Sequence, residues 1–122
     1  MNAATWTRCA PWLDAALAHA GRSHALDDVL GMLARGEARL WAGEAAAMVT
    51  LIEDEPLERR LLIWLAGGDL DELVTCLRPV AERWAREEGC RRVLVVGRPG
   101  WERALAPEGY APLARIIAKE LR

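Results

Sequence analysis

Residues 61–110 carry the pattern that most limits the folds open to this chain. Leu61-Leu62-Ile63-Trp64-Leu65 is apolar on both faces, as a central strand is. Gly67-Gly68-Asp69 makes a turn, and Leu70, Leu73, Val74, Leu77, Val80, Ala81 and Trp84 then recur at helical spacing. Gly89 ends that helix, and residues 92–96 form a second apolar strand. A strand, a crossover helix and a strand in one sheet make a right-handed parallel unit. Asp69 caps the helix, with Glu72 completing a capping box. Pro79 lies inside the helix, removes one backbone hydrogen bond and predicts a bend near Thr75.

The flanks complete a mixed α/β sheet. Residues 1–10 read as an arm or a first strand. Pro11 opens a helix whose apolar positions are Trp12, Leu13, Ala16, Leu17 and Ala20. Ser23 is the expected N-cap of a second helix with Leu26, Val29, Leu30 and Leu33 on its inner stripe, stopped at Gly36. Residues 39–41 and 45–52 form an antiparallel hairpin around Gly43. Glu53-Asp54-Glu55-Pro56 is a solvated turn leading into the strand at 59–65. A short helix over 99–105 and a final strand over 110–121, interrupted at Pro112, end the chain. The sum is one α/β (α+β) domain over residues 1–122, an antiparallel meander continued by a parallel strand, with helices on both faces.

Composition narrows the function classes. A formal net charge of −2 gives no global attraction to nucleic acid or anionic lipid. Arg91, Arg92, Arg98 and Arg103 lack the aromatic interleaving of a nucleic-acid surface, so no nucleic-acid partner is expected. No run of about twenty apolar residues is present, so no membrane partner is expected either. Cys9, Cys76 and Cys90 have no zinc spacing; they read as reduced, partly buried thiols of a cytoplasmic protein, with no metal. The six tryptophans are core and interface material, and Trp41 on the edge hairpin is the one suited to a partner protein.

Leu40-Trp41-Ala42-Gly43, Val49-Thr50, Gly67-Gly68, Gly89-Cys90 and Gly97-Arg98-Pro99-Gly100-Trp101 follow one another in an order that, with the element order, resembles the GNAT (GCN5-related N-acetyltransferase) superfamily. The phrases are most similar to the small GNAT-like proteins of phages and prophages. The resemblance covers nearly the whole chain and implies a GNAT-like mixed sheet.

It also implies where acetyl-CoA would bind: at Leu65, Ala66, Gly67 and Gly68, where active members use backbone amides and a helix N-terminus to cradle pyrophosphate. Arg98 and Trp101, leaving the carboxyl end of a parallel strand, read first as a tight turn whose Trp101 anchors the short helix in the core and whose Arg98 pairs locally with an acid. In a ligand site they would pair with a phosphate and stack on a planar group. Glu53 and Asp54 fall where members place a general base acting through water.

The chain departs from that pattern in two ways. Ala66-Gly67-Gly68-Asp69-Leu70-Asp71-Glu72 lacks the Arg or Gln of the family's loop and sets three carboxylates at the helix start. Two like charges about 4 Å apart cost ~4 kcal/mol at an effective dielectric near 20. The tyrosine that protonates the departing thiolate stands four residues before the closing Gly-aromatic pair in many members. Here Gly109-Tyr110 is that pair and Leu105 holds the tyrosine position, leaving Tyr110 as a packed aromatic.

These departures favour a GNAT-like domain without classical acetyl transfer, acting as a structural or protein-interaction component of a phage assembly or virion, in the host cytoplasm or the particle. Its partners would be other protein subunits, including a second copy of itself. The alternative is an acetyl-CoA-dependent N-acetyltransferase acting on an amine, with Glu53 as base and water replacing the tyrosine. A third reading is a sensor that binds a nucleotide or acyl carrier without turnover.

Overall fold

A computed structural model describes residues 1–121. Two helices, α1 (Ala3–His19) and α2 (Leu26–Ala34), precede the strands β1 (Arg39–Ala42), β2 (Ala46–Glu55) and β3 (Glu58–Gly68). A continuous helical segment follows: α3 (Leu70–Glu72), a π-helical turn over Leu73–Leu77, and α4 (Arg78–Glu87). β4 (Arg92–Val95), α5 (Pro99–Leu105) and a 3-10 turn over Ala106–Glu108 complete the regular elements.

The sheet order is β1-β2-β3-β4, antiparallel through β3 and parallel between β3 and β4. The expected mixed sheet and central β3 are therefore present. Alternation along β2 divides the core between the two faces. Ala47 and Val49 meet Cys9, Leu13 and Leu17 of α1 and Val29 of α2. Ala46 and Met48 join Leu61, Ile63, Leu73, Ala81 and Ala85 beneath the crossover helix.

A bulge in β3 shifts this alternation. Val49 pairs with Leu65 and Thr50 with Ile63, so Trp64 is the extra residue. Trp64 and Leu65 consequently both pack on the α1 and α2 side, where Ile63 and Ala66 face the other way. The β3–β4 pairing runs from Arg60↔Arg92 to Ile63↔Val95 and stops there, next to the bulge.

Four expectations need correction. Residues 1–10 are neither an arm nor a strand: Asn2 caps α1 by accepting the Thr5 amide at 2.8 Å, and the helix runs through Pro11. Pro11 lies on the exposed side, and the burial of Cys9, Leu13 and Leu17 offsets its one missing hydrogen bond. The cap of α2 is Ala25, whose amide donates to Asp28 at 2.8 Å, while Ser23 Oγ lies 2.7 Å from His24 Nδ1 instead.

Glu53, Asp54 and Glu55 are strand residues rather than a solvated turn, paired with Arg60, Arg59 and Glu58 around a Pro56-Leu57 turn. Residues 110–121 form no strand, because no strand of the described chain pairs with them. The bend expected near Thr75 takes the form of the π turn. Arg78 N–H reaches back to the Leu73 carbonyl, and Pro79 has no N–H for Val74. Arg78 Nε donates to the Val74 carbonyl at 3.0 Å in its place.

Candidate functional site

The start of α3 is the point on which the chemistry turns, because oriented amides there would receive a phosphate. In this chain it is latched onto the β1–β2 turn. The Asp69 amide donates to the Ala45 carbonyl at 2.8 Å, and the Ala45 amide donates to Glu72 Oε1 at 3.0 Å. Both backbone polar groups of Ala45 are thus satisfied by α3. Asp69 Oδ2 accepts the Glu72 amide at 2.9 Å and caps the helix. A side chain on Gly43 would occupy the place of the Glu72 carboxylate and displace it from the Ala45 amide.

The two glycines of the β3 exit are taken up in the same close packing. A Cβ on Gly67 would lie 2.5 Å from the Trp12 carbonyl oxygen of α1. Gly68 has φ +94°, and a Cβ there would collide with the Ala45 carbonyl and the Ala46 α-carbon. Leu65 is fully buried between α1 and α2, and Ala66 packs on the opposite face. The space that the glycines leave open is filled by this chain's own backbone. With Asp69, Asp71 and Glu72 in the first turn, the residues present do not fit a pyrophosphate.

Glu53 and Asp54 lie at the other end of the sheet. Gly68 lies eight residue steps along β3 from Arg60, the partner of Glu53, which is about 25 Å at the usual strand rise. Arg60 Nε donates to Glu53 at 3.1 Å and is also 3.3 Å from Glu55. Arg59 donates to both Asp54 oxygens, at 2.7 and 3.3 Å, and to the Glu88 carbonyl at 3.0 Å. The hydrogen bond from Arg59 holds the Asp54 carboxyl below the usual carboxylate range, which weakens it as a base.

Arg98 and Trp101 stand beyond the end of β4. The Arg98 guanidinium lies 3.2 Å from His19 Nε2 at the end of α1, a partner that sequence spacing could not supply. Trp101 packs into the core beneath the crossover helix and against Gly97, where a Cβ would come within 3.1 Å of its ring. The eight candidate residues are therefore spread over three places: the β2–β3 tip, the β3 exit and the β4 exit.

Two clusters escaped the sequence reading. Arg78, buried in α4, pairs with Glu82 one turn on and with Glu108 at 3.1 Å. The Tyr110 hydroxyl donates to the same Glu82 oxygen at 2.7 Å. Burial, then that hydrogen bond, push the phenol well above its ordinary pKa and keep it protonated. The Arg78–Glu82 spacing of four was visible in the sequence, but nothing local announced Tyr110 as its third member.

The second cluster is aromatic. Arg39 lies over Trp41 at 4.8 Å and Trp84 at 4.7 Å, and the two rings meet edge to face at 5.6 Å. Trp41 Nε1 donates to Thr50 Oγ1 at 2.9 Å, so the tryptophan read as partner-facing is engaged within the chain. A broad open groove of about 960 Å³ runs beside this cluster, lined by Leu30, Leu33, Leu40, Thr50, Ile52 and Trp84 among others. Among the described residues no group of His, Cys, Asp and Glu is arranged to hold a metal, and no helix is long and apolar enough to cross a membrane.

No protein-family model matches the chain, and no curated protein matches it. Solved structures do. An acetyltransferase of Trypanosoma brucei superposes with a TM-score of 0.70 at 11% identity, covering 99% of this chain and 96% of that one. A ribosomal-protein-alanine N-acetyltransferase from Brucella melitensis gives 0.64 at 15% identity, over 100% and 94% of the two chains. A predicted acetyltransferase from Clostridium acetobutylicum, solved with acetyl-CoA, gives 0.58 at 14% identity over 78% and 71%. The chain has a GNAT-like fold.

Proposed function

We propose that this GNAT-fold domain does not turn over acetyl-CoA and serves as a structural or protein-interaction component of an assembly. The observation that carries this reading is the latch at Ala45, where Asp69 and Glu72 of α3 engage both backbone groups of the β1–β2 turn. A helix start used this way stabilises the domain and places carboxylates where a polyphosphate would need amides and cations. The engagement of Tyr110 by Glu82 supports the same reading, since a phenol held protonated by a carboxylate is a poor proton donor to a thiolate. The phage or virion setting rests on the sequence phrases named above, an analogy that fold alone does not supply.

Calorimetric titration with acetyl-CoA and with CoA tests the first half. No heat is expected up to millimolar ligand. Micromolar binding, strengthened by Asp69→Asn with Asp71→Asn, would overturn it. Mass spectrometry of particles from the producing host tests the second half. Stoichiometric recovery of the chain is expected, and its absence from particles would remove the virion setting.

One observation favours the rival reading, an N-acetyltransferase acting on an amine. The bulge at Trp64 and the end of β3–β4 pairing at Ile63↔Val95 leave the carboxyl ends of two parallel strands apart, where α/β sheets take ligands. Under that reading acetyl-CoA would supply the acyl group, and the titration above separates the two.

A further inference from the structure

β1 stops before its neighbour does. It pairs with β2 from Ala42↔Ala47 to Arg39↔Thr50, and β2 runs on to Glu55. Among the described residues no strand pairs with residues 51–55 on that side, and no turn or loop hydrogen bond reaches them. Backbone donors and acceptors are thus left open beside the groove of about 960 Å³. The groove wraps round the sheet edge and takes its walls from both cores. Leu33 and Leu40 belong to the α1 and α2 side, Ile52 and Trp84 to the crossover-helix side.

Arg39 lines the same groove and is exposed. Its guanidinium lies over Trp41 at 4.8 Å and over Trp84 at 4.7 Å, so two rings fix its position. Among the described residues no carboxylate pairs with it; Glu37, close in sequence, is taken by Arg35 at 2.8 Å. An arginine held over ring faces keeps the N–H fork in its own plane for a carboxylate.

We propose that this edge takes an extended segment of another protein. The segment adds as a strand beside residues 51–55, with one carboxylate on Arg39 and apolar side chains against Leu40 and Ile52. The charges along the edge set that chemistry. At the far end Glu53 and Asp54 already hold Arg60 and Arg59, so a second acid there would meet like charge. The carboxylate therefore belongs at the Arg39 end. Strands added in this way bind through main-chain hydrogen bonds, and their alternate side chains give specificity. The inference rests on the protein-interaction reading above and names its surface. Binding of acetyl-CoA would defeat that reading and leave the peptide titration below readable by itself.

The probe is a short end-capped peptide with one central aspartate, flanked by alternating valine and threonine. Titrated into the labelled protein and followed by amide NMR, it should bind saturably at submillimolar concentration and shift the amides of residues 39–41 and 51–53. Asparagine in place of the peptide's aspartate should weaken binding about tenfold, and Arg39→Gln should do the same. Arg39→Glu should reverse the preference, binding a lysine peptide better than the aspartate one. Arg39 is exposed, so circular dichroism should be unchanged in both variants. No binding at millimolar peptide, binding indifferent to Arg39, or shifts confined to other residues would each overturn the proposal. So would a dimer by light scattering with the amides of residues 51–55 protected from exchange, which would make a second copy the occupant.

Discussion

The Tyr110 hydroxyl and the Glu82 carboxylate, 28 residues apart, meet at 2.7 Å and fasten the end of the 3-10 turn to the crossover helix. Arg78 joins them from one turn earlier and reaches Glu108 as well. A short C-terminal segment with little core of its own is held in place by these polar contacts.

Tyr110 is the single tyrosine of the chain, so its ionisation can be followed without ambiguity. Its folded pKa is raised above the ordinary value near 10. A raised pKa means the folded state binds the proton more tightly than the unfolded chain. Its stabilising contribution is therefore complete below about pH 10 and is lost as pH rises through the folded value. Absorbance at 295 nm should show no tyrosinate step near pH 10 while the protein stays folded. A normal titration would mean the hydroxyl is free in solution. Tyr110→Phe should cost about 1–2 kcal/mol, the loss of one hydrogen bond to a charged acceptor, read by urea denaturation.

Arg78→Met should cost more, about 3 kcal/mol, because it leaves the half-buried Glu82 with only the exposed Arg86 at 3.8 Å and the Val74 carbonyl without its side-chain donor. The double variant with Glu82→Gln should lose less than the sum of the two single losses. Strict additivity would show the pair is not coupled in solution.

Gly67→Ala separates a packing glycine from a phosphate-binding one. The new Cβ would press on the Trp12 carbonyl, a backbone group held in α1, so unfolding should become easier by about 1–3 kcal/mol with no ligand present. Thermal melting of the unliganded protein reads this directly. An unchanged midpoint would show that α1 moves aside at little cost.

The three thiols should react in a fixed order with a colorimetric disulfide reagent. Cys76 is exposed and should react first; Cys90 is half-buried; Cys9 is buried in the α1 core, and that burial pushes its thiol pKa up. One fast equivalent and two slow ones are expected. Fast reaction of Cys9 would mean α1 is not docked on the sheet.

The Leu61–Leu65 run, the Asp69 cap and the stripe from Leu70 to Trp84 made β3 and the crossover helix legible, since each is a local period or cap readable within a few residues. The π turn was partly legible, because Pro79 removes a donor wherever it sits in a helix. The N-terminal half of α1 was not. Pro11 read as a helix start, and only the docking of Cys9, Leu13 and Leu17 on β2 and β3 explains why the helix passes through it.

The candidate site was legible as composition and not as geometry. Acids at the start of α3 were evident; that Glu72 would reach Ala45, 27 residues earlier in the chain, was not. Arg98 was readable as a cation that would pair with an acid or a phosphate, but its neighbour His19 lies 79 positions away.

Periodicity, caps and charge act between near neighbours, and these local signals carry the strand–helix–strand unit, the mixed α/β class and the acidic helix start. How those elements are used in the fold follows from long-range packing. It spent Gly67 and Gly68 on close packing, closed Ala45 onto α3, tied Tyr110 to Glu82 and left β4 at an open edge. Each of these depends on chain segments distant in sequence meeting at contact distance, which no local pattern encodes.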